Sequence, residues 1–155
     1  MTTLVRFFQL TFLPASTDIA LLVLRLWLGG SMLALHGWQK LIHYSSLNAT
    51  FPDPLGVGSL WSLVLALCGE VLCQILIMLG FVTRLAAIGA ATTMGVAWYA
   101  VHKMALTGAQ SGELAFIYLA GYVVLVFAGA GRYSLDGSGG AGGGSSRIKP
   151  QAPKK

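Results

Sequence analysis

Residues 18–42 read DIALLVLRLWLGGSMLALHGWQKLI. Past Asp18 the run is apolar or small apart from Arg25, Ser31, His36, Gln39 and Lys40. At a rise of about 1.5 Å per residue such a run outreaches the roughly 30 Å hydrocarbon layer, so it reads as a transmembrane helix. Three more runs follow. The spacing predicts spans over Gly58–Gly80, Thr83–Met104 and Gly112–Ala130. Breakers separate them: Phe51-Pro52-Asp53-Pro54-Leu55-Gly56, then Gly80, then Thr107-Gly108. Connections this short make neighbours antiparallel, and the expected fold is an all-α, membrane-spanning antiparallel four-helix bundle. Small residues in the third span (Ala86, Ala87, Gly89, Ala90, Ala91, Gly95, Ala97) favour close helix contact.

Composition supports this reading. Of 155 residues 55% are hydrophobic and 10% charged, and mean hydropathy is +0.73. A soluble domain carries about a quarter charged residues, so this chain has too little polar surface for water. The net charge of +5 does not mark a nucleic-acid binder, because half of the ten basic residues lie at Arg132 or beyond. No basic patch with interleaved aromatics is present. The charge instead sets topology. Arg6, Arg84, Arg132, Arg147, Lys149, Lys154 and Lys155 fall on one side, with Lys40 and Lys103 toward the other. The positive-inside rule places both termini in the cytoplasm.

Three domains are expected along the chain. Residues 1–17 form an N-terminal interfacial segment, a short helix over Thr3–Leu13 with Phe7, Phe8 and Phe12 toward lipid. Residues 18–136 form the transmembrane domain. Residues 137–155 form a disordered Gly-rich basic tail suited to anionic lipid. Cys68 and Cys73 lie five residues apart, which puts them on different faces of a regular α-helix and excludes an intrahelical disulfide. They read as small buried apolar residues.

Ionisable groups inside spans are expensive and each needs a reason. Arg25, His36 and Lys40 fall within about 60° of one another on the first helix, and Arg84 and His102 share a face of the third. Glu70 lies mid-way along the second span and Glu113 opens the fourth. Depth counting brings His36, Lys40, His102 and Glu113 together near the outer surface, with Glu70 below them and Arg25 and Arg84 deeper. One reading is structural, with Glu70 neutralising Arg25 and Glu113 pairing with Lys40 or a histidine. A second places a quinone in the bundle: His36 and His102 orient the head group, Glu70 and Glu113 handle protons. Arg25 and Lys40 then hold the carboxylates ionised or stabilise a reduced anionic head group. A third makes His36 and His102 the axial ligands of a haem. A path for protons or a small solute is a fourth. No group suits a metal site.

Several motifs in order resemble the DoxX family of small four-helix membrane proteins. Leu24-Arg25-Leu26 with Gly29 and Gly30 is similar to its opening helix, and His36-Gly37-Trp38-Gln39-Lys40-Leu41 to its HGxxKL signature. Glu70 stands where the family has a glutamate, and Leu79-Gly80-Phe81-Val82-Thr83-Arg84-Leu85 resembles its GLxTR turn. His102, Gly112-Glu113-Leu114 and the ending Gly129-Ala130-Gly131-Arg132-Tyr133-Ser134-Leu135-Asp136 complete the resemblance, over roughly residues 18–136. It implies a bacterial inner-membrane protein. A related group, DoxD, forms the membrane part of thiosulfate:quinone oxidoreductase, which makes a quinone-dependent membrane subunit the expected activity. Expected partners are the bilayer and an electron-donating protein, with room for a homo-oligomer and none for nucleic acid. The alternative is a non-enzymatic scaffold that docks a redox or stress-response partner.

Overall fold

The computed structural model describes Phe8 and residues 16–138. The expected helix Thr3–Leu13 (Phe8 apart) and the tail beyond Ser138 lie outside the described residues. Those residues are all helix, turn and loop, without a strand. Helix α1 spans Thr17–Ile42 and α2 spans Ser59–Leu79. Helix α3 spans Thr83–Val96 and continues through the π-helical turn Ala97–Val101. Helix α4 spans Glu113–Ala128. Helices α1 and α2 are each long and apolar enough to cross a membrane, and α4 is a shorter apolar helix.

Local chemistry sets the ends. Ser16 caps α1 by accepting the Ile19 N–H. Helix α2 ends at Gly80, which takes the left-handed conformation (φ 69°). There the N–H groups of Gly80 and Phe81 donate to the carbonyls of Ile77 and Leu76, a Schellman ending. The third element stops at Val101, three residues short of the expected Met104, because Lys103 and Met104 both turn to positive φ.

Neighbouring helices run antiparallel. Arg25 lies at Ile77 and Met78, whereas Gly37 lies at Glu70 and Val71. Gly69 abuts Thr93 and Gly89 abuts Cys73, which sets α3 against α2. The α3–α4 contact is the most extensive, running from Arg84 at Gly129 to His102 at Gly112. Helix α4 returns along α1, with Leu28 in the space left by Gly121. The core is Leu28, Met32, Ile77, Ala87, Ala90, Tyr122 and Leu125, all buried.

Among the described residues regular winding is interrupted three times. The N–H groups of Trp38, Cys73 and His102 donate to the carbonyls of Leu33, Cys68 and Ala97, five residues back. Each such π turn takes one residue more than an α turn, and π turns gather at functional sites. Two of them meet at the close approach of Gly37 to Glu70.

Candidate functional site

The N-terminal half of α2, Ser59–Leu67, contacts the end of α1 and the turn Tyr44–Leu47 but makes no extended contact with α3 or α4. The gap is a cavity of about 710 Å³, within the range of small-molecule sites. Its walls are mainly apolar, including Met32, Leu65, Met94, Val96 and Leu114. The loop between α1 and α2 roofs it with Phe51, Pro52, Pro54 and Leu55. Asp53 ties that roof down: its carboxylate accepts from Val57 N–H at 3.0 Å, Gly58 N–H at 2.7 Å and Ser62 Oγ at 2.7 Å. The Ser62 hydroxyl and the Gly58 N–H hold that carboxyl below the usual carboxylate range.

The charged pair and both histidines of the cavity come from or beside the three π turns. Leu33–Gly37 carries His36, Cys68–Leu72 carries Glu70, and His102 ends the third. Lys40 Nζ meets Glu70 Oε2 at 2.5 Å. The Glu70 side chain is 8% exposed and that of Lys40 23%, so the pair is largely desolvated. His36 stands edge-on to Tyr118, ring centroids 6.2 Å apart. Tyr118 donates to Ser31 Oγ at 2.7 Å and stacks on Tyr122. Tyr122 in turn donates to Gln74 Oε1 at 2.9 Å, and Gln74 Nε2 donates to the Gly69 carbonyl. His102 Nδ1 lies 3.0 Å from the Gln110 carbonyl oxygen. A carbonyl only accepts, so Nδ1 carries the proton and Nε2 is the nitrogen left for a ligand.

His36, Lys40, Glu70 and His102 therefore share one cavity. Arg25 and Glu113 do not line it. Arg25 is fully buried at the other end of α1. It donates to the carbonyls of Ile77 (3.2 Å), Met78 (3.1 Å) and Tyr133. It thus clasps the last carbonyls of α2, and Glu70 is bonded to Lys40 instead. Glu113 is exposed at the start of α4, its N–H donating to Ser111 Oγ. The expected Glu70–Arg25 and Glu113–Lys40 pairs are replaced by Lys40–Glu70. The cysteines are corrected too. Cys68 and Cys73 both line the cavity, because the π turn between them adds the residue that regular winding lacks. Tyr118 also lines it, and nothing in its sequence context sets it apart from Tyr122 of the same helix. No cluster of three or more His, Cys, Asp or Glu able to hold a metal ion exists among the described residues.

Comparison with known proteins bears on identity. The DoxX family profile matches residues 20–103. An uncharacterized protein of Haemophilus influenzae is 27% identical over 133 residues, covering 77% of this chain and 83% of its own. A second from the same organism is 31% identical over 114 residues, covering 68% of this chain and 80% of its own. No solved structure matches the chain. The profile covers more than half of the sequence and runs through Arg25, His36, Lys40, Glu70 and His102; the chain belongs to the DoxX family.

Proposed function

We propose that this protein is a redox-associated subunit of the bacterial inner membrane that binds a quinone in the cavity beside α2. In this reading all four helices cross the bilayer as one antiparallel four-helix bundle, with both termini cytoplasmic as the distribution of Lys and Arg favours. The cavity then lies in the outer half. The observation that carries the reading is a mainly apolar chamber of about 710 Å³ lined by two histidines, His36 and His102, and by the Lys40–Glu70 pair. Apolar walls with a few convergent polar groups suit a ligand with a lipophilic tail and a hydrogen-bonding head.

A bound quinone supplies a two-electron, two-proton couple; the residues bind, orient and move protons. His102 Nε2 accepts from a hydroxyl when neutral and donates to a carbonyl when protonated. His36 faces the same space and is steadied by the edge of Tyr118. Glu70 keeps Oε1 for proton exchange while Oε2 is held by Lys40. Lys40 offsets negative charge on the head group. Glu113, exposed beside cavity-lining Ser111 and Leu114, exchanges protons with water at the rim. Arg25 takes no part in binding and holds the opposite end of the helices together.

Organic extraction of the purified protein followed by mass spectrometry tests this. Stoichiometric quinone is expected from the wild type. The His36→Ala, His102→Ala variant should bind at least about tenfold more weakly, the loss of about 1.4 kcal/mol of contact. Quinone absent from the wild type, or retained undiminished by the variant, overturns the proposal. A Soret band lost with the same two histidines assigns the cavity to haem instead. Neither ligand, with lower stability of the variant, leaves a scaffold that docks a partner.

A further inference from the structure

The cavity is walled on three sides and covered at one end. The end of α1, Trp38–Ile42, packs on Ser59–Leu67 of α2. Helices α3 and α4 touch along their length. Between α1 and α4, Tyr118 reaches across: its ring meets His36 and its hydroxyl donates to Ser31 Oγ at 2.7 Å. The roof of Phe51, Pro52, Pro54 and Leu55 is fastened by the three bonds that Asp53 accepts. The fourth side, between α2 and α3, is different. These helices are pinned where Gly69 meets Thr93, so closely that a Cβ at residue 69 would collide with the Thr93 side chain. From that pin toward the roof, Ser59–Leu67 makes no extended contact with α3 among the described residues. The separation starts at the π turn Cys68–Leu72, and π turns are among the causes of helix kinks. Side chains that line the cavity and are also exposed mark an opening here: Leu65 and Cys68 on α2, Thr92 on α3. Val96 stands one turn beyond Thr92 on the same wall. Outside the opening the exposed side chains are apolar or aromatic, Trp61 on α2 and Ile88 and Tyr99 on the third element.

From this we infer that the cleft between α2 and α3 is a lateral portal to the hydrocarbon layer, through which the tail of the bound ligand leaves the cavity. The inference rests on the quinone reading of the preceding section and names the substrate class within it. The head group lies inward, against His36 on α1 and the Lys40–Glu70 pair. The tail passes between Leu65 and Cys68 on one lip and Thr92 and Val96 on the other. A tail left among lipid chains stays out of water, so the chamber needs to enclose only the head and the start of the tail. The latched roof closes the route from the aqueous side, whereas the portal meets apolar side chains suited to lipid. The substrate class is therefore a long-tailed isoprenoid quinone drawn from the membrane, and not a water-soluble analogue. Gly69 and Thr93 set the inner limit of the portal, because there the two helices leave no room for a chain between them.

Photocrosslinking maps the route directly. A ubiquinone carrying a diazirine on the second isoprenoid unit of its tail is added to the full-length protein in lipid nanodiscs and irradiated. Digestion and mass spectrometry then locate the insertion sites. Insertion is expected at Leu65 and Cys68 of α2 and at Thr92 and Val96 of α3. An excess of about tenfold in unlabelled long-tailed ubiquinone should lower it by about tenfold, as competition for one site requires. Competed insertion at Phe51 or Leu55 of the roof, or at Leu114 on the α4 rim, in place of those sites overturns the portal and leaves quinone binding standing. Equal insertion at Leu65 and Cys68 by a polyprenol with the same diazirine and no quinone head also overturns it, since the cleft then holds any lipid tail. Insertion that excess ubiquinone does not reduce overturns the portal as well. If the purified protein in that case also retains no quinone, the binding reading falls with it.

Discussion

At the scale of single residues, the decisive feature is a charge pair inside a largely apolar assembly. Lys40 and Glu70 come from different helices, meet at 2.5 Å and are mostly withdrawn from solvent. Desolvating two charges roughly cancels their attraction, so the pair adds little net stability while each member alone is costly. Lys40→Ala is therefore expected to destabilise the protein by about 3 kcal/mol, the lower end for an abandoned buried charge because Lys40 keeps some exposure. Lys40→Met combined with Glu70→Gln should recover most of that loss. Unfolding in detergent measures both. A single variant that costs less than about 1 kcal/mol would place the pair among ordinary exposed salt bridges. Recovery by the double variant would show that the pair exists for chemistry rather than for stability.

At the scale of elements, the π turns decide how the helices meet. Widening α1 at Leu33–Gly37 and α2 at Cys68–Leu72 brings Gly37 onto the carbonyl of Glu70. Backbones approach this closely only where a side chain is missing. A Cβ at residue 37 collides with the Glu70 carbonyl oxygen and with Val71, and backbone cannot step aside as a side-chain tip can. Gly37→Ala should thus cost about 1–3 kcal/mol or more through overpacking, and should loosen the Lys40–Glu70 contact one turn away. Gly95 gives the control, since a Cβ there meets nothing within 4 Å. Gly95→Ala should be neutral or stabilising by up to about 1 kcal/mol, the helix-propensity gain alone. Equal losses at the two positions would sink the argument. The same turns explain why a fixed 100° wheel sorts the two cysteines onto different faces: each π turn shifts the phase of everything beyond it.

For the whole molecule, the helix limits were legible because apolar runs and Gly or Pro breakers act locally: α1 and α2 lie within a residue of expectation. Depth was legible as well, since rise accumulates almost regardless of winding, and it placed His36, Lys40 and His102 at one end. Rotation was not, and Arg25 shows why. Its partners are the carbonyls of Ile77, Met78 and Tyr133, and a backbone carbonyl that accepts from a distant side chain carries no mark in the sequence. Arg25 belongs to a clasp that closes the end opposite the cavity. Asp18 accepts the Arg132 N–H at 2.8 Å, and Asp136 accepts those of Val82 (2.8 Å) and Thr83 (2.9 Å). The latter holds Val82, a β-branched residue, at φ 43°, a conformation it adopts only under constraint. Burial pushes the Asp136 carboxyl up, but the N–H groups of Thr83 and Val82 and the charge of Arg25 outweigh it and hold it below the ordinary value. A carboxyl depressed in the folded state stabilises fully above its unfolded pKa, and that contribution is lost as pH falls through the folded value. Asp136→Asn is therefore expected to be less stable than the wild type by about 1 kcal/mol at neutral pH, a hydrogen-bonded charge discounted for solvent screening. Thermal unfolding in detergent at stepwise lower pH should show the two proteins starting to converge below about pH 4, where the unfolded carboxyl takes up its proton before the folded one does. A gap that stays constant across that range would mean that the clasp depends on the shape of Asp136 and not on its charge.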